Sequence, residues 1–570
     1  MKRKRLLGML MASVLTLSIF AGCGNKTTNE GSADNNASQT QTSDSEQVLN
    51  LIMLDPLTWD VNACYDSNST TVLGAVYEGL VRISNDGTKD TIEPAGAESW
   101  ETSEDGLVWT FKLRDNKWSD GEDVVAQHYV DSVIRLLNAE SAFPYAFFGF
   151  DIKNGEAFYN GEATADEVGI KALDEKTLEI TLENPVPYFL SKLSYTVFKP
   201  VRLDVIEAAG DAYATDYTKG VFNGPFVIEG YESGNYIKFA KNENYWDSEN
   251  VKLETVNMTE IKEFATQAQL FEAKQLDVSG ATNEYVEKWM KAAEEGQFQA
   301  NISEAPSVFY IEFNQVNGGS TGLMSNQKVR QAIAYSLDRE ELTSELYGRY
   351  TPAYGFVPGV INIGDDLYRD VVEEPMKAPS EEYNTPEALQ ALLHEGLKEL
   401  GKDTDDLSTI EITYLTYGDS ELEKQRQEWW KQQIENNLGI KVNVQVEGDY
   451  ALFTAAKNQN KHDILMSGWT ADYNDPMTFL DMWVTGGSNN SVGYSSEEYD
   501  TLINSLKTEN DEEKRKETYA KAEEVLLSDM AIAPLFYRDN RSFKHNYVKD
   551  FQMPVFGPSY EFRWAHIEGK

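Results

Sequence analysis

The chain has 570 residues, with 94 acidic against 50 basic side chains and a net charge of −44 at neutral pH. That excess argues against a nucleic-acid partner and against direct docking on anionic lipid, because both repel an acidic surface. A hydrophobic content of 41% and an aromatic content of 12% suit a globular body with a real core, and at about 150 residues per domain the length suggests three or four domains or lobes.

The chain begins MKRKRLLGMLMASVLTLSIFAGCG. Lys2, Arg3, Lys4 and Arg5 form a basic region, and the apolar run that follows is shorter than the roughly 20 residues a membrane span needs. Residues 1–22 therefore read as a secretory signal peptide, whose loss takes the net charge to about −48. Ala21, Gly22 and Cys23 resemble the lipobox of bacterial lipoproteins, with Phe20 where that pattern usually has Leu. The resemblance implies acylation of Cys23 and anchoring to the outer face of the cell membrane. Residues 24–47 carry no large apolar side chain, cannot offset their ordering entropy, and read as a tether with a reach on the order of 25–30 Å. Acylation of Cys23 leaves Cys64 without a partner, so no disulfide framework is expected. The histidines at 128, 394, 462, 545 and 566 show no metal-ligand spacing, and neither a metal nor a cofactor is expected.

After the tether, VLNLIML at 48–54 predicts a short buried strand. Residues 71–83 place Val72, Ala75, Val76 and Leu80 on a helical face. The turn Glu104-Asp105-Gly106 feeds an alternating strand at 107–113. An amphipathic helix follows, with Tyr129, Val130, Val133, Ile134 and Leu137 at helical spacing. Strands are predicted at 177–182, 225–230, 235–242 and 307–313. Residues 326–337 form a helix, and Asp338 with Glu341 marks the cap of the next. The helix over 419–438 carries Leu422, Trp430, Ile434 and Leu438, with Gly439 at its C-terminal αL position. IKVNVQV then alternates strictly from Ile440 to Val446. HDILMSGW at 462–469 and AIAPLFYR at 531–538 read as buried strands. Strand–helix–strand units favour parallel sheet, in which ligands sit outside the carboxyl ends of strands. GWTADYNDP, 468–476, begins at such an end.

The chemistry-bearing candidates narrow quickly. GGSTG at 318–322 matches a nucleophile-elbow pattern, but polar residues continue through Ser325 and Asn326 before any helix, so Ser320 reads as a loop residue. Asp472 and Asp475 lie too close together in one loop to straddle a substrate as a glycosidase pair does. Asn474-Asp475-Pro476 is ordinary turn chemistry. Asp472, beside Trp469 and Tyr473, suits either a turn cap or a ligand's cationic group, which a carboxylate holds by a charge-assisted hydrogen bond. No phosphate-binding glycine loop is present.

Four stretches together resemble the peptide-binding proteins of bacterial ABC importers, solute-binding protein family 5. They are AESWETSEDGLVWTFKLRDNKWSDGEDVVAQHYVDS (97–132), NGPFVIEGYESGNYIKFAKNENYWD (223–247), FNQ…NQKVRQAIAYSLDREEL (313–342) and GWTADYNDPMTFLDMW (468–483). The resemblance implies an α/β, two-lobed periplasmic-binding-protein-like fold of class II type, with a cleft between lobes and an extra subdomain in the first. Lobe I would span 48–310 with its insertion at about 91–200, lobe II 311–536, and 537–570 would return to lobe I. The segments crossing between lobes would lie near 309–314 and 535–540. The implied ligand is an oligopeptide lying extended in the cleft, held largely through its backbone. Asp472 would take its amino terminus, with Gly468, Trp469 and Thr470 lining the same cleft and Tyr310, Glu312 and Tyr145 contributing. A monomer delivering its ligand to the membrane subunits of a permease, without covalent chemistry, is the implied mode of action. An oligosaccharide or other solute, or a signalling peptide, are the alternative ligands. The chain departs from the family at Val125-Ala126-Gln127-His128, where a Thr usually caps the following helix; its loss costs about 1 kcal/mol unless another group caps.

Overall fold

The computed structural model describes residues 46–570 apart from positions 88, 283 and 488. The expected signal peptide, Cys23 and nearly all of the expected tether lie outside the described residues.

The alternating segments form the expected strands. Val48–Ile52 pairs in parallel with Thr255–Thr259 in a four-stranded sheet that also holds the hairpin Phe226–Glu232 and Tyr236–Lys241. Ala97–Thr102 and Val108–Leu113 form a hairpin closed at Gly106, whose positive φ of 72° suits glycine. They join Ile170–Asp174 and Thr177–Thr181 in a second four-stranded sheet. The third sheet is larger and contains two long neighbours, Phe298–Phe313 and Ile532–His545, both extending well beyond their apolar cores. Next to Phe298–Phe313 lies Ile464–Thr470, followed by Glu411–Tyr417 and Lys441–Glu447. The last three are parallel to one another, and the helix Glu421–Leu438 makes the crossover. Gly439 ends that helix at φ 72°, as its position predicts.

Two large apolar cores sit in the two lobes. One gathers side chains from Leu49 to Val278 and again from Tyr547 to Ile567. The other gathers Val308 to Tyr537, joined by Ile83 and Phe556. A smaller cluster around Phe271, Trp289, Phe298 and Phe543 packs on the long paired strands.

Three local expectations change. The helix expected over 71–83 spans only Ser67–Val76, capped by Asp66, and Val81–Asn85 is already a strand. The reason is a close backbone approach: Gly79 accepts a hydrogen bond from the Gly96 amide, and a Cβ at Gly96 would sit 2.7 Å from the Gly79 oxygen. Leu422 is exposed rather than on the buried face of its helix. The Thr cap is not replaced: Val125 makes no side-chain cap to the helix amides, and only the reciprocal bond is present, in which His128 Nδ1 accepts from the Val125 amide at 3.2 Å and from the Trp118 indole at 3.3 Å. Burial pushes that imidazole down to about 4, which keeps it neutral and able to accept.

Candidate functional site

Strand Ile464–Thr470 ends where the sheet stops pairing. Ser307 is the register partner of Thr470, and the Ala471 amide donates to the Pro306 carbonyl at 2.8 Å. The chain then turns into the loop 472–476 and the short helix Met477–Leu480. Gly468 is required by packing: a Cβ there would lie 2.9 Å from the Phe309 ring. Thr470 is exposed, and Trp469 is partly exposed with its indole N–H unpartnered.

The loop fixes its two acids in opposite ways. Asp475 is buried; it accepts from the Met477 amide at 2.9 Å, from the Tyr519 hydroxyl at 2.5 Å and from the Arg515 guanidinium at 3.1 Å. The Asp472 amide donates to Thr478 Oγ1 at 3.1 Å, while its carboxylate makes no hydrogen bond or ion pair among the described residues. Burial raises the Asp472 pKa, and the Lys192 ammonium offsets part of that rise.

Asp472 faces a cavity of about 390 Å³ between the lobes. The first lobe contributes Phe147, Phe148, Asp151, Tyr188 and Lys192; the second contributes Trp469, Tyr473, Asp481 and Lys507. Lys192 is paired with Asp151 and lies 5.3 Å from the Phe148 ring centre. Tyr145 stands close by: burial raises its phenol pKa and the Asp472 charge raises it further. The lobes touch beside this cavity. Tyr188 stacks on Tyr473 with ring centres 4.7 Å apart and planes 7° from parallel. The Asn474 amide donates to Ser191 Oγ at 3.3 Å. Farther along, Lys89 donates to the Asp365 carbonyl at 3.0 Å.

The sequence-derived residues thus divide. Asp472 and Trp469 line the cavity, Gly468 and Thr470 flank them on the same strand, and Tyr145 adjoins from the other lobe. Tyr310 and Glu312 are not brought to this cavity. The Tyr310 ring is buried edge-on against Phe356 and Trp483 at 5.1 and 5.7 Å. Glu312, also buried, pairs with Lys457 at 2.6 Å and accepts from Ser491 at 3.1 Å, in a separate cavity of about 180 Å³. Both point away because they share one face of strand Phe298–Phe313, and that face packs on Phe356 and Trp483 and on Lys457. Ser320, in its loop, donates to buried Asp463 at 2.6 Å. Sequence reasoning missed Tyr188, Lys192 and Lys507, which carry no local motif, and Asp481, which lies inside the quoted stretch 468–483.

The model of the bacterial extracellular solute-binding proteins, family 5, matches residues 91–491. This chain belongs to that family. It is 29% identical to the oligopeptide-binding protein OppA of Bacillus subtilis, with 100% of each chain covered. Among solved structures, it resembles the substrate-binding domain of an oligopeptide ABC transporter from Bacillus anthracis at 33% identity and a TM-score of 0.69, over 93% of this chain and 100% of that one. Listeria monocytogenes OppA bound to peptide is 29% identical with a TM-score of 0.68, over 92% and 99% of the two chains. The two-lobed architecture is therefore that of the family, and the cavity at Asp472 lies between its lobes.

Proposed function

We propose that this chain captures oligopeptides in the cleft between its lobes and delivers them to the membrane subunits of an ABC importer. The observation that carries the reading is the bare Asp472 carboxylate, facing an interlobe cavity in a chain whose relatives are named for oligopeptide binding. An ammonium entering the cavity supplies the partner that Asp472 lacks, and a charge-assisted hydrogen bond of that kind is worth about 1.5–3 kcal/mol. Trp469, Phe147 and Phe148 offer apolar and aromatic surface around it. Thr470, Gly468 and Tyr145 complete the proposed surroundings of the peptide's amino end, whereas Tyr310 and Glu312, at the boundary between the lobes, pack among second-lobe side chains. Capture is by closure: a ligand touching both lobes stabilises their approach, which the Tyr188–Tyr473 stack already bridges.

The same reading assigns 48–310 and 537–570 to the first lobe and 311–536 to the second. It takes Cys23 as the acylated residue that holds a monomer at the outer face of the membrane.

Native mass spectrometry of protein purified gently from a peptide-rich culture tests the function. Adducts spread over a range of masses and fragmenting to amino-acid sequences support it. A single non-peptide adduct such as an oligosaccharide overturns it. Cys23→Ser tests the anchor, with release from the membrane fraction as the expected result.

A further inference from the structure

Two asparagines of the second lobe hold each other, and each reaches the first lobe. Asn474 sits in the loop 472–476, between Asp472 and Asp475. Its side-chain Oδ1 accepts from the Asn362 backbone amide at 2.7 Å, and its own backbone amide donates to Ser191 Oγ at 3.3 Å. Asn362 opens the small hairpin of Asn362–Ile363 and Asp366–Leu367, and its Nδ2 donates to the Asp90 carbonyl of the first lobe at 3.2 Å.

The anchors on both sides are restrained within their own lobes. Asp90 is buried, and its carboxylate accepts from Asn85 Nδ2 at 2.7 Å and from the Val555 and Phe556 amides at 3.1 and 2.9 Å, so its carbonyl is held in place. Ser191 is buried in the short helix Phe189–Leu193. In the second lobe, Ile361 and Ile363 flank Asn362 and belong to the core, and Asp366 pairs with Lys516 at 2.8 Å. Groups already held lose little further freedom when they bond.

The seam around these bonds is open. A second interlobe cavity of about 460 Å³ lies there, with Lys89, Ile92 and Ser191 on one side and Ile363, Asp365 and Asn474 on the other. Tyr188 lines both this cavity and the one at Asp472. The loop divides in the same way: Asp472 and Tyr473 face the first cavity, Asn474 and Asp475 the second. The loop and the Tyr188–Tyr473 stack thus form the partition between the two. A permanent interface is close-packed, whereas a line of bonds flanked by cavities can part. Asn362 Oδ1 is buried without a partner and regains water when the lobes separate, which keeps the contact releasable.

We propose that Asn362 and Asn474 are positioning residues for ligand capture: together they form a latch that ties the loop carrying Asp472 to the closing of the lobes. This rests on the peptide reading above and deepens it. A turn at Asn474 needs only the local backbone; the bond to Asn362, from a distant hairpin, serves another purpose. It fixes the loop against the element that itself grips Asp90, so the loop is aligned and the lobes are held by the same pair.

Two measurements test the latch. The first needs no ligand. Spin labels carried on Glu101→Cys and Glu428→Cys, exposed positions of the two lobes, report the interlobe distance by pulsed electron resonance, in full-length protein with Cys23→Ser and the buried Cys64 left in place. The wild-type latch should populate a shorter distance. Asn362→Ala and Ser191→Ala should each shift the ratio of short to long roughly 2- to 10-fold towards long, the worth of one neutral hydrogen bond. The second follows tetra-alanine binding by stopped flow. Both variants should speed dissociation by a similar factor and leave association and the unfolding midpoint unchanged, because neither side chain lines the Asp472 cavity. Asn474→Ala should in addition narrow the preference for tetra-alanine over N-acetyl-tetra-alanine, because it loosens the loop that aims Asp472. Identical distance distributions in wild type and variants overturn the latch. So does a lowered unfolding midpoint with unchanged dissociation, which would make the bonds merely structural. If tetra-alanine does not bind the wild type, the peptide reading fails for this probe, and the ligand-free distances decide on the latch alone.

Discussion

Asp475 and Asp472 stand three positions apart in one loop and have opposite surroundings. Asp475 has its carboxylate saturated by a backbone amide, a phenol and a guanidinium. Asp472 has a cavity, an aromatic wall and, among the described residues, no partner for its carboxylate. The saturated acid ties the loop to the helix Glu512–Ser528 and so fixes where the bare one points. Stability and binding are thereby separated within a few residues: the first acid would gain nothing from a ligand, and the second is satisfied only by one.

The contrast breaks most visibly at Asp475. Asp475→Ala strands the Arg515 guanidinium in a buried site, and breaking such a pair costs about 3–5 kcal/mol. Chemical denaturation should show the loss, and an unchanged midpoint would mean that the loop is held some other way. Asp472→Asn should do the reverse. Affinity for tetra-alanine should fall roughly 10- to 100-fold in calorimetry, the value of a charge-assisted hydrogen bond. The empty protein should be no less stable, because a folded carboxyl with a raised pKa disfavours the fold above that pKa. An unfolding midpoint that drops as for Asp475→Ala would make Asp472 structural too.

Acidification sharpens the same point. Protonated Asp472 offers no charge to an ammonium, and its pKa is raised. Affinity for tetra-alanine should thus begin to fall at a pH above the ordinary carboxylate value of about 4, and Asp472→Asn should flatten that dependence. The smallest effect belongs to the interlobe stack. Tyr188→Ala removes a ring pair worth about 0.5–1.5 kcal/mol, which should weaken peptide binding roughly 2- to 10-fold. Since the stack joins the lobes rather than building either core, the unfolding midpoint should hardly move.

Much of the framework is written locally. The strict alternation from Ile440 to Val446, the helical stripe over 326–337, the Asp338 cap and Gly439 each marked an element that the structure contains. The strand leading into Gly468 was also legible, and with it the place of Asp472 at a sheet's carboxyl edge. The Ser67–Val76 helix was overrun because nothing local announces the close approach of Gly79 and Gly96. The segment 125–128 was noted for the Thr cap it lacks, and nothing local announces that the His128 ring instead accepts from the Val125 amide and from the Trp118 indole ten positions away.

The amino-acid sequence by itself determined an acidic chain, its family, the order of its strands and helices, and Asp472 as the acid to watch. Only the tertiary structure decided which acids stay bare. Asp475 is satisfied by side chains about forty residues downstream. Glu312 is taken by Lys457 from a helix in its own lobe. Lys192 and Tyr188 come to the Asp472 cavity from the other lobe, Tyr188 by stacking on Tyr473. The reason is physical. Alternation and capping are short-range and repeat with the backbone's period, whereas the partner of a charge is set by whichever distant element folding brings within a few ångströms.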